Sequence, residues 1–116
     1  MIYHSDTAQC LARNPVTALS WHIRLRGMIG RQFSDTMDAM IFPGCNAVHT
    51  FFMTMPLDVL FLDREKRVVR VIQHLRPWHP GVRAGKASTT VEFPAGTLNG
   101  IKPGDRIVFQ GKPDQK

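Results

Sequence analysis

Residues 49–63, HTFFMTMPLDVLFLD, are the stretch of this chain that decides its fold. Most of its side chains are Phe, Met, Val or Leu, which favour an extended strand between turns. The stretch also carries His49, Thr50 and Asp58, polar side chains that a purely structural core would not select. Apolar residues flank Asp58 on both faces of the predicted strand, so we expect this carboxylate either at an exposed strand end or buried beside a partner.

Short runs of the same character recur along the chain, each bounded by Gly, Pro, Asp or Asn. They comprise residues 39–42, 48–55, 57–62, 68–72, 89–93 and 106–109. So many strand-like runs in a small chain predict a mainly β fold, a compact antiparallel β sandwich or barrel. One short helix is predicted over residues 21–30, packed on the sheet, because Ser20 is a suitable N-cap and Trp21, Leu25 and Met28 share one helical face.

Two turns are also predicted. The charged link at residues 63–66 is short enough for a β-hairpin. In the run Lys102-Pro103-Gly104-Asp105, Pro and Gly occupy the central positions of a type II turn, which we expect to precede the last strand.

The length of 116 residues fits a single domain over residues 1–116, with an ordered core at about 13–109 and a flexible tail at 110–116. No apolar run is long enough to cross a bilayer. Residues 1–15 lack the apolar stretch of a secretory signal, so the sequence predicts a cytoplasmic protein with reduced cysteines.

The net charge of +6 favours acidic partners, but 15 basic and nine acidic residues are spread along the whole chain. The loop at residues 74–86 combines Arg76, Arg83 and Lys86 with Trp78, a combination that single-stranded nucleic acids bind. Nucleic-acid binding is the less favoured interpretation, because one aromatic side chain is a small stacking surface and the prolines of this loop more simply stiffen a long connection.

Three arginines, Arg24, Arg26 and Arg31, lie in or beside the predicted helix. They fit a solvated helix face, with their stems on the sheet. Alternatively, Arg24 or Arg26 turns inward and pairs with Asp58 or Glu92, since a carboxylate on a half-buried strand needs a partner that the two-pronged guanidinium supplies well.

A histidine near an aspartate is the only feature here that resembles acid–base machinery. His49 and Asp58 could serve a small hydrolase or isomerase if they met in a cleft, although a lone histidine among apolar neighbours is more often structural. No nucleophile, base and orienting group form a complete set, so we favour a non-catalytic ligand- or protein-binding domain. Its candidate binding residues are Arg24, Arg26, Arg31, His49, Thr50, Met53, Asp58 and Glu92. No metal or other cofactor is expected, because the Cys and His spacings fit no standard zinc site.

A set of motifs in fixed order resembles a known family. The set comprises RLRGMIGR at 24–31, AMIF at 39–42, HT at 49–50 with Met53, PLDV at 56–59 with Phe61 and Asp63, VEFPAGT at 91–97 and GIKPGD at 100–105. This order resembles domain-of-unknown-function family 192, over residues 13–109, and in particular a branch containing His-Thr.

The resemblance implies a compact, mainly β sandwich or barrel with a short helix, and no established activity or cofactor. Relatives often carry an export or lipoprotein segment, which is not seen here. Some members of the His-Thr branch occur near pilus-assembly and secretion genes. The resemblance therefore implies an accessory role, with a protein of such a system as partner. The arginines of the predicted helix region separately predict an acidic ligand.

Overall fold

The computed structural model describes residues 1–18, 33–48, 55–77 and 81–110, and these residues form a β structure. Ten strands are present in them: β1 (Ile2–His4), β2 (Cys10–Ala12), β3 (Pro15–Thr17), β4 (Ala39–Pro43), β5 (Ala47–Val48), β6 (Leu57–Leu62), β7 (Val68–Leu75), β8 (Val82–Arg83), β9 (Thr89–Pro94) and β10 (Ile107–Phe109). No helix in this part of the chain is long and apolar enough to span a membrane.

The main sheet has five strands in the order β3-β4-β9-β6-β7. Strand β9 lies at its centre and pairs antiparallel with both β4 and β6. The β6–β7 hairpin closes through Asp63, whose main-chain N–H donates to the carbonyl of Arg67 over 3.0 Å. At the other edge β3 runs parallel to β4, so the sheet is mixed rather than wholly antiparallel.

Each face of the five-stranded sheet is covered by its own apolar core. A three-stranded sheet, β10-β1-β2, contributes Ile2, Leu11 and Ile107 to the first core. From the main sheet that core receives Ala39, Ile41, Leu60, Leu62, Val91 and Phe93. We call this side the first face. The second face carries Met40, Phe42, Leu57, Val59 and Phe61, packed with Ala18 and Ala84.

Both faces being covered explains why β6 is apolar throughout instead of alternating. All six of its residues are buried, including Leu57, Leu60 and Phe61 at 0% exposure. Burying a side chain of this size contributes about 1.5–3 kcal/mol. A strand that lies between two apolar cores needs apolar side chains on both faces, and the run of Val, Leu and Phe in β6 supplies them.

The mainly β architecture predicted from the sequence is confirmed, and so are both predicted turns. The main-chain N–H of Asp105 donates to the carbonyl of Lys102 over 3.1 Å, and Gly104 adopts a φ of 94°, as a type II turn requires. Strands β1, β2, β3 and β8 were not predicted, because each has only two or three residues and no clear alternation. The predicted helix at 21–30 lies outside the described residues.

Candidate functional site

Asp58 is fully buried on β6, and its carboxylate is bound by three main-chain amides. Oδ1 accepts a hydrogen bond from the N–H of His74 over 2.8 Å. Oδ2 accepts one from Gly96 over 3.0 Å and one from Leu98 over 2.9 Å. A buried carboxylate needs several strong donors to offset the loss of water, and these three amides supply them.

The carboxylate of Asp58 also shapes the strands around it. Leu57 pairs with Leu75 and Val59 with Ile72, so Gln73 and His74 both lie opposite Asp58 and form a β-bulge.

His74 takes a left-handed φ of 56° in this bulge, while its N–H points to Asp58. Gln73 in turn donates its Nε2 to the carbonyl of Leu98 over 2.9 Å. Asp58 and Gln73 thus fasten the turn after β9 to the β6–β7 hairpin.

This arrangement assigns Asp58 a structural role in the described part of the chain. Its side chain has 0% exposure, and both oxygens are used by amides. The sequence left open whether Asp58 was exposed or buried and paired, and the structure shows it buried. The predicted partners Arg24 and Arg26 lie outside the described residues, so pairing with an arginine stays a prediction.

Glu92 lies on the central strand β9, facing the second core. Its neighbours across the sheet are Met40 on β4 and Val59 on β6, both fully buried. The side chain of Glu92 is only 4% exposed. No described residue forms a hydrogen bond with its Oε1 atom. The middle of an apolar face therefore carries a carboxyl group with an unused hydrogen-bonding atom.

Burial raises the pKa of Glu92 from 4.5 to about 8, because an apolar environment penalises the charged form. At neutral pH the group is therefore mainly a protonated carboxylic acid. In that form one oxygen donates a hydrogen bond and the other still accepts. Strongly shifted carboxyl groups are found at functional sites more often than elsewhere in proteins.

The structure does not bring the two predicted acids together. Asp58 pairs with Phe93 and points to the first face, whereas Glu92 points to the second. The other six candidate residues, Arg24, Arg26, Arg31, His49, Thr50 and Met53, lie outside the described residues. Asp58 and Glu92 therefore do not share one face of the main sheet, and a site on one face contains at most one of them.

Two surface concavities lie away from both acids. One, of about 430 Å³, runs between β3 and the end of β10, with Thr17 and Phe109 on its walls. The other, of about 260 Å³, lies beside Tyr3 and Val108. Neither concavity is lined by Asp58 or Glu92.

A third group of polar residues was missed by the sequence analysis. His4, Asp6 and Asp105 meet where β1 ends and β10 begins, although 101 positions separate His4 from Asp105. Their spacing forms no ligand motif, and only the pairing of β1 with β10 brings them together. The nearest signal in the sequence was the turn at residues 102–105, which placed Asp105 just before a strand.

Curated relatives match about half of this chain. The chain is 41% identical over 63 residues to a UPF0127 protein of Pyrococcus horikoshii, covering 53% of this chain and 54% of that one. It is 42% identical over 62 residues to a UPF0127 protein of Pyrococcus abyssi, covering 52% of each. The chain thus spans about half the length of these curated relatives.

A solved structure extends the comparison to nearly the whole chain. It is a protein of unknown function from Novosphingobium aromaticivorans, with a TM-score of 0.70, 21% identity and coverage of 92% of this chain and 91% of that one. At this identity the likeness supports the fold alone. The DUF192 family profile, described as "Uncharacterized ACR", matches residues 8–109. The chain therefore belongs to the DUF192 family.

Proposed function

We propose that this protein is a non-catalytic binding domain that holds an acidic ligand against the second face of its main sheet, where Glu92 lies. The observation that carries this proposal is the buried carboxyl of Glu92, whose Oε1 no described residue binds. Burying a polar group without a partner costs about 1–3 kcal/mol by mutational measures. A fold selected for stability alone would place an apolar side chain between Met40 and Val59.

The protonation state of Glu92 is what suits it to an acidic ligand. An ionised glutamate would repel a carboxylate or phosphate, but the raised pKa keeps this side chain neutral at pH 7. Its O–H can then donate to a ligand oxygen. The sequence predicts further donors for the same ligand in Arg24, Arg26 and Arg31, with His49, Thr50 and Met53 beside them.

A protein partner fits the same chemistry. An acidic segment of another protein presents the same carboxylates as a small acidic molecule. The resemblance to the His-Thr branch suggests a pilus or secretion system as the source of such a partner. An accessory role in protein assembly is therefore part of the proposed function. Small acidic ligands and acidic peptides should be tested side by side.

The alternative of a hydrolase or isomerase gains no support from the described geometry. General acid–base catalysis needs a group within hydrogen-bond reach of the substrate. Asp58 has 0% exposure, and its two oxygens already accept three amide hydrogen bonds. A proton transfer through Asp58 would require these bonds to break.

The proposal is tested by screening acidic metabolites and acidic peptides for binding, first by thermal shift and then by calorimetry. Two variants of Glu92 separate its roles. Glu92→Gln keeps a neutral donor of the same shape, so we expect it to retain binding to within about tenfold, or about 1.4 kcal/mol. Glu92→Leu removes the donor and should lose affinity by more than tenfold.

The matched control is Glu65→Gln, which makes the same change in the exposed hairpin turn and should bind like the natural protein. Circular dichroism of each variant checks that the fold is kept. The proposal is refuted if Glu92→Leu binds every hit as well as the natural protein does. It is equally refuted if no acidic compound or peptide binds to the folded protein.

A further inference from the structure

A cluster of three metal-ligand side chains lies where β1 ends and β10 begins. His4 ends β1, Asp6 lies in the loop between β1 and β2, and Asp105 closes the turn before β10. One ligand atom from each lies within 4.8 Å of the others. His4 and Asp105 are buried or half-buried, whereas Asp6 is exposed.

We propose that His4, Asp6 and Asp105 bind a divalent transition-metal ion, with Zn²⁺ as the reference case. This site is independent of the binding function proposed for the Glu92 face. Two of its residues precede residue 8, where the match to the family profile begins. The inference therefore concerns this chain rather than its family.

The first argument is the positioning of the histidine. Its Nδ1 atom lies 2.8 Å from the hydroxyl of Thr7, and its Nε2 atom lies 3.0 Å from Oδ2 of Asp105. A histidine that binds a metal is usually oriented by a hydrogen bond to its second nitrogen, and Thr7 provides that contact. At metal–ligand distances of about 2.0–2.2 Å, two ligands at a tetrahedral angle lie about 3.4 Å apart. The 3.0 Å between Nε2 of His4 and Oδ2 of Asp105 is within about 0.5 Å of that separation, so a small side-chain movement admits the ion.

The second argument is that the ligands are pre-positioned by the backbone. His4 pairs with Ile107 in the β1–β10 ladder, so its position relative to Asp105 is set by the sheet. The amide of Lys102 donates to Oδ2 of Asp105 over 3.1 Å and fixes its carboxylate. Asp6 is exposed, so its side chain is not held in place by core packing. The side chains of His4 and Asp105 therefore need little rearrangement to bind a metal ion.

The third argument is electrostatic. Two carboxylates lie close together in a chain of net charge +6, yet no described lysine or arginine forms an ion pair with Asp6 or Asp105. Like charges at this distance repel each other. The His4–Asp105 pair neutralises one carboxylate only when the imidazole is protonated. A divalent cation would compensate both carboxylates and use the neutral imidazole as a ligand.

The test is calorimetric titration of ZnCl₂ into the full chain, purified without a histidine tag and freed of metal by chelation. We expect a single equivalent to bind. Asp6→Asn is the main variant, because Asp6 is exposed and removing its charge leaves the buried residues in place. We expect it to weaken Zn²⁺ binding by about tenfold or more. His4→Ala should abolish binding at the same concentrations.

Two matched controls use the same substitutions elsewhere. Asp35→Asn alters an exposed aspartate, and His74→Ala removes the histidine side chain of the bulge in β7. Both should bind Zn²⁺ like the natural protein. As a second readout, Co²⁺ should give visible absorption bands in the natural protein that Asp6→Asn reduces, even if His4→Ala fails to fold.

The proposal is overturned if Zn²⁺ shows no saturable binding. It is also overturned if Asp6→Asn binds Zn²⁺ with the affinity of Asp35→Asn, since the ion would then be held by other residues. A rise in melting temperature with Zn²⁺ that is lost in Asp6→Asn would support it, because a ligand that binds the native state stabilises that state.

Discussion

Replacing Asp58 with asparagine tests the interpretation that this buried carboxylate organises the fold. The asparagine oxygen can take the place of Oδ2 and keep the bonds from Gly96 and Leu98. Its amide nitrogen then faces the N–H of His74, so that this hydrogen bond is lost and a buried donor has no acceptor. Bonds to a charged acceptor contribute about 1.5–3 kcal/mol each, and an unsatisfied donor costs about 1–3 kcal/mol.

These contributions predict that Asp58→Asn lowers the free energy of unfolding by about 2.5–6 kcal/mol. Asp58→Ala should cost more, because it leaves all three amides without an acceptor. Urea unfolding followed by circular dichroism measures both, and hydrogen exchange should show faster exchange at His74, Gly96 and Leu98. Asp63→Asn is the matched control. Oδ1 of Asp63 binds two amides in the exposed hairpin, and asparagine retains that oxygen, so the loss should stay below about 1 kcal/mol.

A loss of less than about 1 kcal/mol in Asp58→Asn would refute the reasoning, since the variant loses one buried hydrogen bond and leaves the N–H of His74 without an acceptor. A double-mutant cycle addresses the remaining sequence prediction. If Asp58 also pairs with Arg24 or Arg26, the combined variants should show a coupling energy of at least about 0.5 kcal/mol. Additive effects would remove the arginine from the explanation of Asp58.

Three further predictions concern Glu92, His74 and His49. The pKa of Glu92 is raised from 4.5 to about 8, so its stabilising contribution is complete below pH 4.5 and is lost as the pH rises through 8. Between pH 4.5 and 8 the free energy of unfolding measured in urea should therefore fall by about 1.4 kcal/mol per pH unit. Glu92→Gln should remove this pH dependence. His74 has a φ of 56°, so His74→Val should destabilise the protein by about 1–2 kcal/mol, whereas His74→Gly should be nearly neutral in the same assay. Binding of an acidic ligand should strengthen below about pH 6.5 as His49 protonates, and His49→Ala should abolish this pH dependence while leaving the melting temperature nearly unchanged. Unfolding of His49→Ala would instead assign His49 to the core.

The sequence alone was sufficient for the fold class and for most of the main sheet. Strands β4, β6, β7, β9 and β10 are each dominated by β-branched and other apolar residues between turn formers, which is a local signal. The type II turn at residues 102–105 follows from two residues with restricted or permissive backbones, and its chemistry is equally local. Membership of the DUF192 family could also be inferred from the order of motifs along the chain.

Tertiary structure decided what the polar residues do. The three amides that bind Asp58 come from a bulge in β7 and a turn after β9, which lie 16 and 38–40 positions further along the chain. Periodicity shows which face of a strand a residue occupies, but it does not show what covers that face. Asp58 and Glu92 therefore resembled parts of one site until strand pairing placed them on opposite faces. The cluster of His4, Asp6 and Asp105 arises in the same way, because only the pairing of the first and last strands joins residues that local sequence cannot connect.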